Sequence, residues 1–209
     1  MRLIRKPWIW LSRFRKRKGY GVHSPSAYSF IRGVVLETTP YYAYEELSRL
    51  HPWWVRWGGL YPLQCRRLLF RLANFAEPKA VVLLTEDEVA RQYVAAAVPG
   101  AEVVSAGTLG PKGRFTLEEP QSANAEGEAQ SANFVLIGKE HLGEAMRLSA
   151  GMPEAGMLVC EGIHESREAK EVWRAIQDDE HTGVTFDLYT YGVAFYNRKL
   201  HKQHYKVNF

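Results

Sequence analysis

The segment from residue 78 to residue 107 constrains the fold most strongly, because it shows in turn the patterns of a strand, a helix and a second strand. Ala80–Leu84 is a continuous apolar run rich in branched side chains, which is typical of a strand buried on both faces. An amphipathic stretch follows until Pro99 and Gly100, and Glu102–Ser105 has the composition of the next strand. This βαβ pattern predicts a parallel sheet with a right-handed crossover.

The turn after the first strand indicates where a ligand would bind. Thr85 and Glu88 have the spacing of a capping box, so we expect the helix to begin at Thr85. In doubly wound sheets a ligand binds beyond the end of the strand, at this helix N-terminus. A nucleotide loop needs glycine there so that backbone and ligand can approach closely. This turn instead contains Glu86 and Asp87 and no glycine, so the usual cofactor loop is missing.

The rest of the chain predicts further strands of the same sheet. Phe134–Ile137 and Met157–Cys160 are buried strands by composition, and each is followed by a helical pattern. Val184–Tyr189 and Val193–Tyr196 favour an antiparallel pair, and residues 204–209 favour an added edge strand. The predicted fold is therefore an α/β three-layer sandwich, with a mostly parallel sheet, a C-terminal antiparallel hairpin and additional N-terminal helices.

Two regions are expected in the chain: a helical extension at residues 1–61 and the α/β domain at residues 62–209. Ser24 precedes a proline in the pattern of an N-cap, which predicts a helix that begins there. Pro62 to Phe75 is predicted to be a helix that turns its leucines and Phe75 inward, before the first strand begins.

The basic charge of the protein is concentrated at its N-terminus. Residues 1–18 carry eight Arg or Lys and no acid, so the remaining chain, with 19 basic against 23 acidic residues, is near −4. Leu3, Trp8, Leu11 and Phe14 fall roughly on one side of a helix in this segment. Three interpretations stay open: binding to an anionic membrane surface, binding to nucleic acid, and packing of the helix on its own domain.

Cysteine content and hydropathy predict a cytoplasmic protein. Cys65 and Cys160 stand in apolar contexts without a disulfide or metal spacing, which fits a reducing compartment. No apolar run approaches the roughly 20 residues that span a bilayer, and the basic N-terminus lacks the core of a signal peptide.

Several short motifs resemble one protein family. They are Gly19–Pro25, Pro40–Glu45, Leu68–Leu72 and Lys202–Tyr205. They resemble the class I S-adenosylmethionine-dependent methyltransferase-like proteins that carry an N-terminal helical extension. The resemblance implies a Rossmann-like fold, S-adenosylmethionine as cofactor, and methyl transfer to an oxygen or nitrogen of a small-molecule acceptor.

The cofactor positions of that family map onto residues that have changed. The resemblance places cofactor binding at Thr85, Glu86, Gly107 and Gly138. The first family glycine falls on Thr85, the ribose-binding acid falls at about Gly107, and the Asp-Gly pair after the next strand becomes Gly138 and Lys139. These changes predict weakened or lost cofactor binding. A non-catalytic binding or assembly module, using the basic N-terminal segment, is therefore the alternative function.

His141, Glu161 and His164 are the candidate catalytic residues. Each follows a predicted strand, so all three are expected near the carboxyl edge of the sheet. Two imidazoles and a carboxylate suit a metal site, or a general base with its orienting partner. A third interpretation is that these residues are polar loop residues left from a former active site, without contact to one another. The three alternatives stay open. The resemblance assigns the base that deprotonates the methyl acceptor to His164 or Glu161, and no metal is assigned.

Overall fold

A seven-stranded sheet organises the part of the chain that the structure describes. The computed structural model describes residues 22, 24–52, 60–105, 132–197 and 201–209, so Gly107 and the basic residues 1–18 lie outside the described residues. The strands are β1 (Ala80–Leu84), β2 (Glu102–Ser105), β3 (Phe134–Ile137), β4 (Gly156–Glu161), β5 (Val184–Asp187), β6 (Tyr191–Tyr196) and β7 (Gln203–Lys206). Their order across the sheet is β2-β1-β3-β4-β6-β5-β7.

The pairing confirms a mostly parallel sheet with an antiparallel hairpin. β1 pairs in parallel with β2 and β3, and β3 pairs in parallel with β4. β6 runs antiparallel to both β4 and β5, and β7 is added in parallel to β5 as the edge strand. Since β6 runs backwards, its first residue, Tyr191, lies opposite Glu161, the last residue of β4.

Helices cover both faces of this sheet. They are α1 (Pro25–Phe30), a π-helical turn (Ile31–Val35), α2 (Tyr44–Ser48), α3 (Leu60–Ala76), α4 (Glu88–Ala97), a 3-10 helix (Lys139–Glu144), α5 (Ala145–Ala150) and α6 (Arg167–Asp178). Helices α1 to α4 pack on one face, and the 3-10 helix, α5 and α6 pack on the other. The strand alternation explains this division, because Val81 and Leu83 belong to the first core and Val82 and Leu84 to the second.

The N-terminal helices share the first core with the sheet. Ser24 is the N-cap of α1, as predicted, and its hydroxyl accepts a hydrogen bond from the backbone N–H of Ala27. The ring of Phe30 lies 4.6 Å from that of Phe186 and 5.0 Å from that of Phe195. The boundary predicted at residue 61 stays a prediction.

Two local predictions were wrong. The N-cap of α4 is Asp87, whose carboxylate accepts from the backbone N–H of Ala90 at 2.8 Å. Thr85 is instead tied into the turn, where its hydroxyl accepts from the N–H of Asp87 at 3.1 Å. Phe75 is 49% exposed rather than inward, and it packs edge-on against Phe30 near the end of α3.

In the described part of the chain, no helix is long and apolar enough to cross a membrane.

Candidate functional site

Four strand ends meet at one edge of the sheet, which makes that edge the candidate site. β1, β3 and β4 end there at Leu84, Ile137 and Glu161, and β6 begins there at Tyr191. Ligands of open α/β sheets bind in the crevice outside these strand ends. The side chains at this edge therefore decide what the crevice can hold.

The turns after β1 and β3 are joined by Glu140. Its carboxylate accepts a hydrogen bond from the backbone N–H of Glu86 at 2.7 Å. Gly138 lies against the same carboxylate, since a Cβ on Gly138 would stand 2.2 Å from Oε1 of Glu140 and 2.7 Å from Oγ1 of Thr85. Because Gly138 has no side chain, the carboxylate of Glu140 can lie close to its backbone, where a ligand would otherwise approach.

The pKa of Glu140 reflects this bridge. Burial by itself would raise the pKa of the carboxyl, but it is outweighed by hydrogen bonds from the backbone N–H groups of Glu86 and of Glu140 itself and from the hydroxyl of Thr85. The pKa of Glu140 is consequently lowered, and the carboxylate is the form that holds the two turns together.

A cluster of charges fills the next part of the edge. The guanidinium of Arg66, on α3, donates to the carboxylate of Asp87 and to the hydroxyl of Tyr191, and it pairs with Glu161 at 3.4 Å. The side chains of Arg66 and Glu161 are 14% and 17% exposed. We call Arg66, Asp87, Glu161 and Tyr191 the arginine cluster.

The arginine cluster balances charges that burial disfavours. Burial raises the pKa of the Glu161 carboxyl, and the Arg66 cation only partly offsets this. For Arg66 the opposite holds: burial would lower the pKa, but Tyr191, Glu161 and Asp87 together raise it. A cation held between two carboxylates in this way is difficult to displace, because its removal leaves buried charges unpaired.

His164 belongs to a second polar group, on the other face of the sheet. In the sheet, Glu161 pairs with Tyr191 of β6, whereas the next residue of β6, Gly192, pairs with Asp187. Successive strand residues alternate between faces, so Glu161 and Asp187 project in opposite directions. Nε2 of His164 lies 2.9 Å from Oδ2 of Asp187, a carboxylate that is 2% exposed.

A tyrosine in an unusual conformation covers the imidazole of His164. The ring of Tyr189 stacks on it at 5.3 Å with an angle of 14° between the planes. Tyr189 has a φ of +72°, which non-glycine residues adopt rarely, and its N–H donates to the carboxylate of Asp187. We call His164, Asp187 and Tyr189 the histidine group.

The structure brings together only some of the residues predicted from the sequence. Thr85, Glu86 and Gly138 lie together around the carboxylate of Glu140, and their assignment to cofactor binding stays a prediction. Glu161 and His164 do not converge, since each has its own partners on its own face.

His141 lies in the 3-10 helix, where its N–H donates to the carbonyl of Gly138. No group of three or more His, Cys, Asp or Glu suited to a metal ion occurs among the described residues. The alternative of a metal bound jointly by His141, Glu161 and His164 is therefore wrong.

Sequence reasoning missed Arg66, Glu140, Tyr191 and Asp187. A signal was present for Arg66 alone. It stands three residues after Leu63 and three before Leu69, so it continues the inward-facing stripe of α3 with a cation. A charge inside an apolar stripe indicates a buried partner of opposite sign.

Comparison of the sequence with models of known protein families gave no match, and comparison with curated proteins gave none either.

Proposed function

We propose that this protein is a methyltransferase-type, Rossmann-like α/β protein that no longer binds S-adenosylmethionine in the standard position. It functions as a non-catalytic binding or assembly module. The observation that carries the proposal is the bridge from Glu140 to the backbone of Glu86, because it ties together the turns after β1 and β3, where the cofactor would bind.

The sheet supports the Rossmann-like part of the proposal. Parallel strands alternate with helices on both faces, and an antiparallel hairpin completes the sheet, as the family resemblance implies. The motifs at Pro40–Glu45 and Leu68–Leu72 contribute to the same core, in which Tyr44 donates a hydrogen bond to the carbonyl of Arg67.

The residues at the crevice do not fit the methyl donor. A helix N-terminus attracts an anion such as the donor's carboxylate through its unpaired N–H groups. Here the N–H of Glu86 is bonded to Glu140, and the N–H of Ala90 is bonded to Asp87. A carboxylate entering this turn would meet two other carboxylates, and repulsion between like charges disfavours that arrangement.

The carboxylates that would attract the donor's positively charged sulfonium are already paired with a cation of the protein. A sulfonium would be attracted by Asp87 and Glu161, but the guanidinium of Arg66 already pairs with both. A ligand that used Glu161 would have to separate it from Arg66, and breaking a buried ion pair of this kind typically costs about 3–5 kcal/mol. That is a loss of more than a hundredfold in affinity, enough to remove micromolar binding.

Calorimetric titration of the full-length protein with S-adenosylmethionine, and with its demethylated product, tests this proposal. We expect no saturable heat up to millimolar ligand. The Glu140→Ala variant is the informative companion, since any affinity that it gains over the wild type identifies the bridge as the barrier. Micromolar binding by the wild-type protein would overturn the proposal.

The histidine group favours a second candidate, an enzyme that uses His164 as a general base. A buried carboxylate that orients an imidazole is a common arrangement for proton transfer, and strained backbone such as that of Tyr189 often marks active sites. A methyl-transfer assay with labelled S-adenosylmethionine and a panel of small hydroxyl and amine acceptors tests it. Turnover that His164→Gln abolishes, while the fold is retained, would favour the enzyme over the non-catalytic module.

A further inference from the structure

An aromatic pocket lies at the opposite edge of the sheet from the candidate site. It is bordered by Met157 and Val184, near the starts of β4 and β5, and its volume is about 270 Å³. Its walls are formed mainly by four phenyl rings, of Phe30, Phe75, Phe186 and Phe195, with Ser26 and Asn197 as polar members. We call this cavity the phenylalanine pocket.

The phenylalanine pocket exposes aromatic surface to the outside. The ring of Phe75 packs against Phe30 at 5.3 Å and Phe195 at 6.4 Å, and yet Phe75 remains 49% exposed. Surface of this kind is commonly covered by an apolar partner. The pocket is slightly smaller than the roughly 300–1,000 Å³ of sites for drug-sized molecules, so a few side chains suit it better than a large ligand.

The chain itself leads an apolar segment to this pocket. Ser26 stands in the pocket wall, and residues 1–21, which lie outside the described part, are joined to the protein immediately before it. Phe14 is twelve residues from Ser26, a stretch that can span about 40 Å when extended. A tethered segment so close to its site has an effective concentration in the millimolar range, which favours even weak docking.

The chemistry of the pocket also favours this segment as the occupant. The described lining of the pocket contains no charged residue, so apolar side chains suit it. Leu3, Leu11 and Phe14 supply such side chains in the segment that is joined to the pocket wall.

We propose that the apolar side chains of residues 3–14 occupy the phenylalanine pocket. The docked segment covers the exposed ring of Phe75. This role is independent of the proposed function, because the pocket and the arginine cluster lie at opposite edges of the sheet.

Limited trypsin digestion of the full-length protein, followed by mass spectrometry, tests the proposal. Trypsin cleaves after Arg5 and Arg13 only where the segment is undocked. We expect Phe75→Glu to raise the cleavage rate at these sites about tenfold, since local protection follows the docking equilibrium. Tyr42→Glu is the matched control, because it places the same charge at an exposed aromatic residue that does not line the pocket, and it should leave the rate unchanged.

Two further arms separate docking from a folding defect and from other occupants. Leu11→Asp changes the segment instead of the pocket and should raise cleavage after Arg5 to the same extent. Circular dichroism should show that all variants keep the wild-type fold. The proposal is overturned if the wild-type segment is cleaved as fast as a synthetic peptide of residues 1–18. It is equally overturned if only phosphatidylserine vesicles or duplex DNA protect the segment, regardless of Phe75.

Discussion

At the scale of single residues, Arg66 has the largest effect on the candidate site. Its guanidinium links α3 to the turn after β1, to the end of β4 and to the start of β6, so four separate segments depend on one side chain. Buried charge pairs add little stability compared with apolar packing, but removing one partner is expensive. The residue therefore matters more through the charges it would leave behind than through the bonds it makes.

We expect Arg66→Met to lower the free energy of unfolding by about 3 kcal/mol near neutral pH. The loss should be smaller at about pH 5. Burial already raises the pKa of Glu161, and without the Arg66 cation that pKa rises further. A folded-state pKa above the unfolded value means that stability falls as pH rises from the ordinary value of 4.5 toward the raised pKa.

Urea denaturation of the variant and the wild type at both pH values measures this effect. Arg49→Met provides the control, because Arg49 forms an exposed ion pair with Glu45 that should contribute less than about 1 kcal/mol at either pH. A loss for Arg66→Met that is as small as that of the control, or that grows toward acid pH, would contradict the account of the arginine cluster.

At the scale of secondary-structure elements, α6 and β6 show how one helix fixes the histidine group. Trp173, which is 3% exposed, packs its ring directly on Gly192 of β6. Gly192 also pairs with Asp187, the partner of His164, so this contact holds the strand that presents the carboxylate. The absence of a side chain at Gly192 is what lets helix and sheet approach so closely.

Gly192→Ala should therefore destabilise the protein by about 1–3 kcal/mol, because its Cβ would stand 2.6–2.8 Å from atoms of the Trp173 ring. Gly143→Ala is a suitable control, since a Cβ there meets nothing within 4 Å, and its effect should stay within about 0.5 kcal/mol. Thermal denaturation compares the two variants. Equal melting temperatures would show that the helix moves away at no cost.

At the scale of the whole molecule, the N-terminal helices and the sheet share one apolar core. Phe30 of α1 contacts rings of α3, β5 and β6, and Ile31, Val34 and Val35 of the following π-helical turn are buried in the same cluster. Elements that bury a common core unfold together when neither part is stable alone. We therefore expect residues 24–48 to unfold together with the sheet.

We expect the protein to unfold in a single transition that Phe30→Ala shifts by about 3–5 kcal/mol. Far-ultraviolet circular dichroism and tryptophan fluorescence, followed in urea, should give coincident curves for both proteins. Tyr28→Ala on the same helix is the control, since Tyr28 is 46% exposed and its loss should cost less than about 1 kcal/mol. Two separate transitions would contradict a shared core and support independent domains.

The local structure followed from the sequence to a large extent. The run Ala80–Leu84 and the strand Phe134–Ile137 were predicted to the residue, because a buried strand needs a continuous apolar run and little else. The capping of α4 was mispredicted because Thr85 and Asp87 both have side chains that can cap, and spacing alone does not choose between them. The inward orientation of Phe75 was mispredicted because helical periodicity shows on which side of the helix a residue lies, but not whether other elements cover that side completely.

By itself, the sequence determined which segments form strands and helices and that they alternate, since backbone pairing and side-chain periodicity act over a few residues. Only the tertiary structure decided which charges meet. Arg66 and Glu161 are 95 positions apart, and no local pattern predicts their contact. The tertiary structure also separated Glu161 from His164. His164 is paired with Asp187, which projects from the opposite face of the sheet to Glu161.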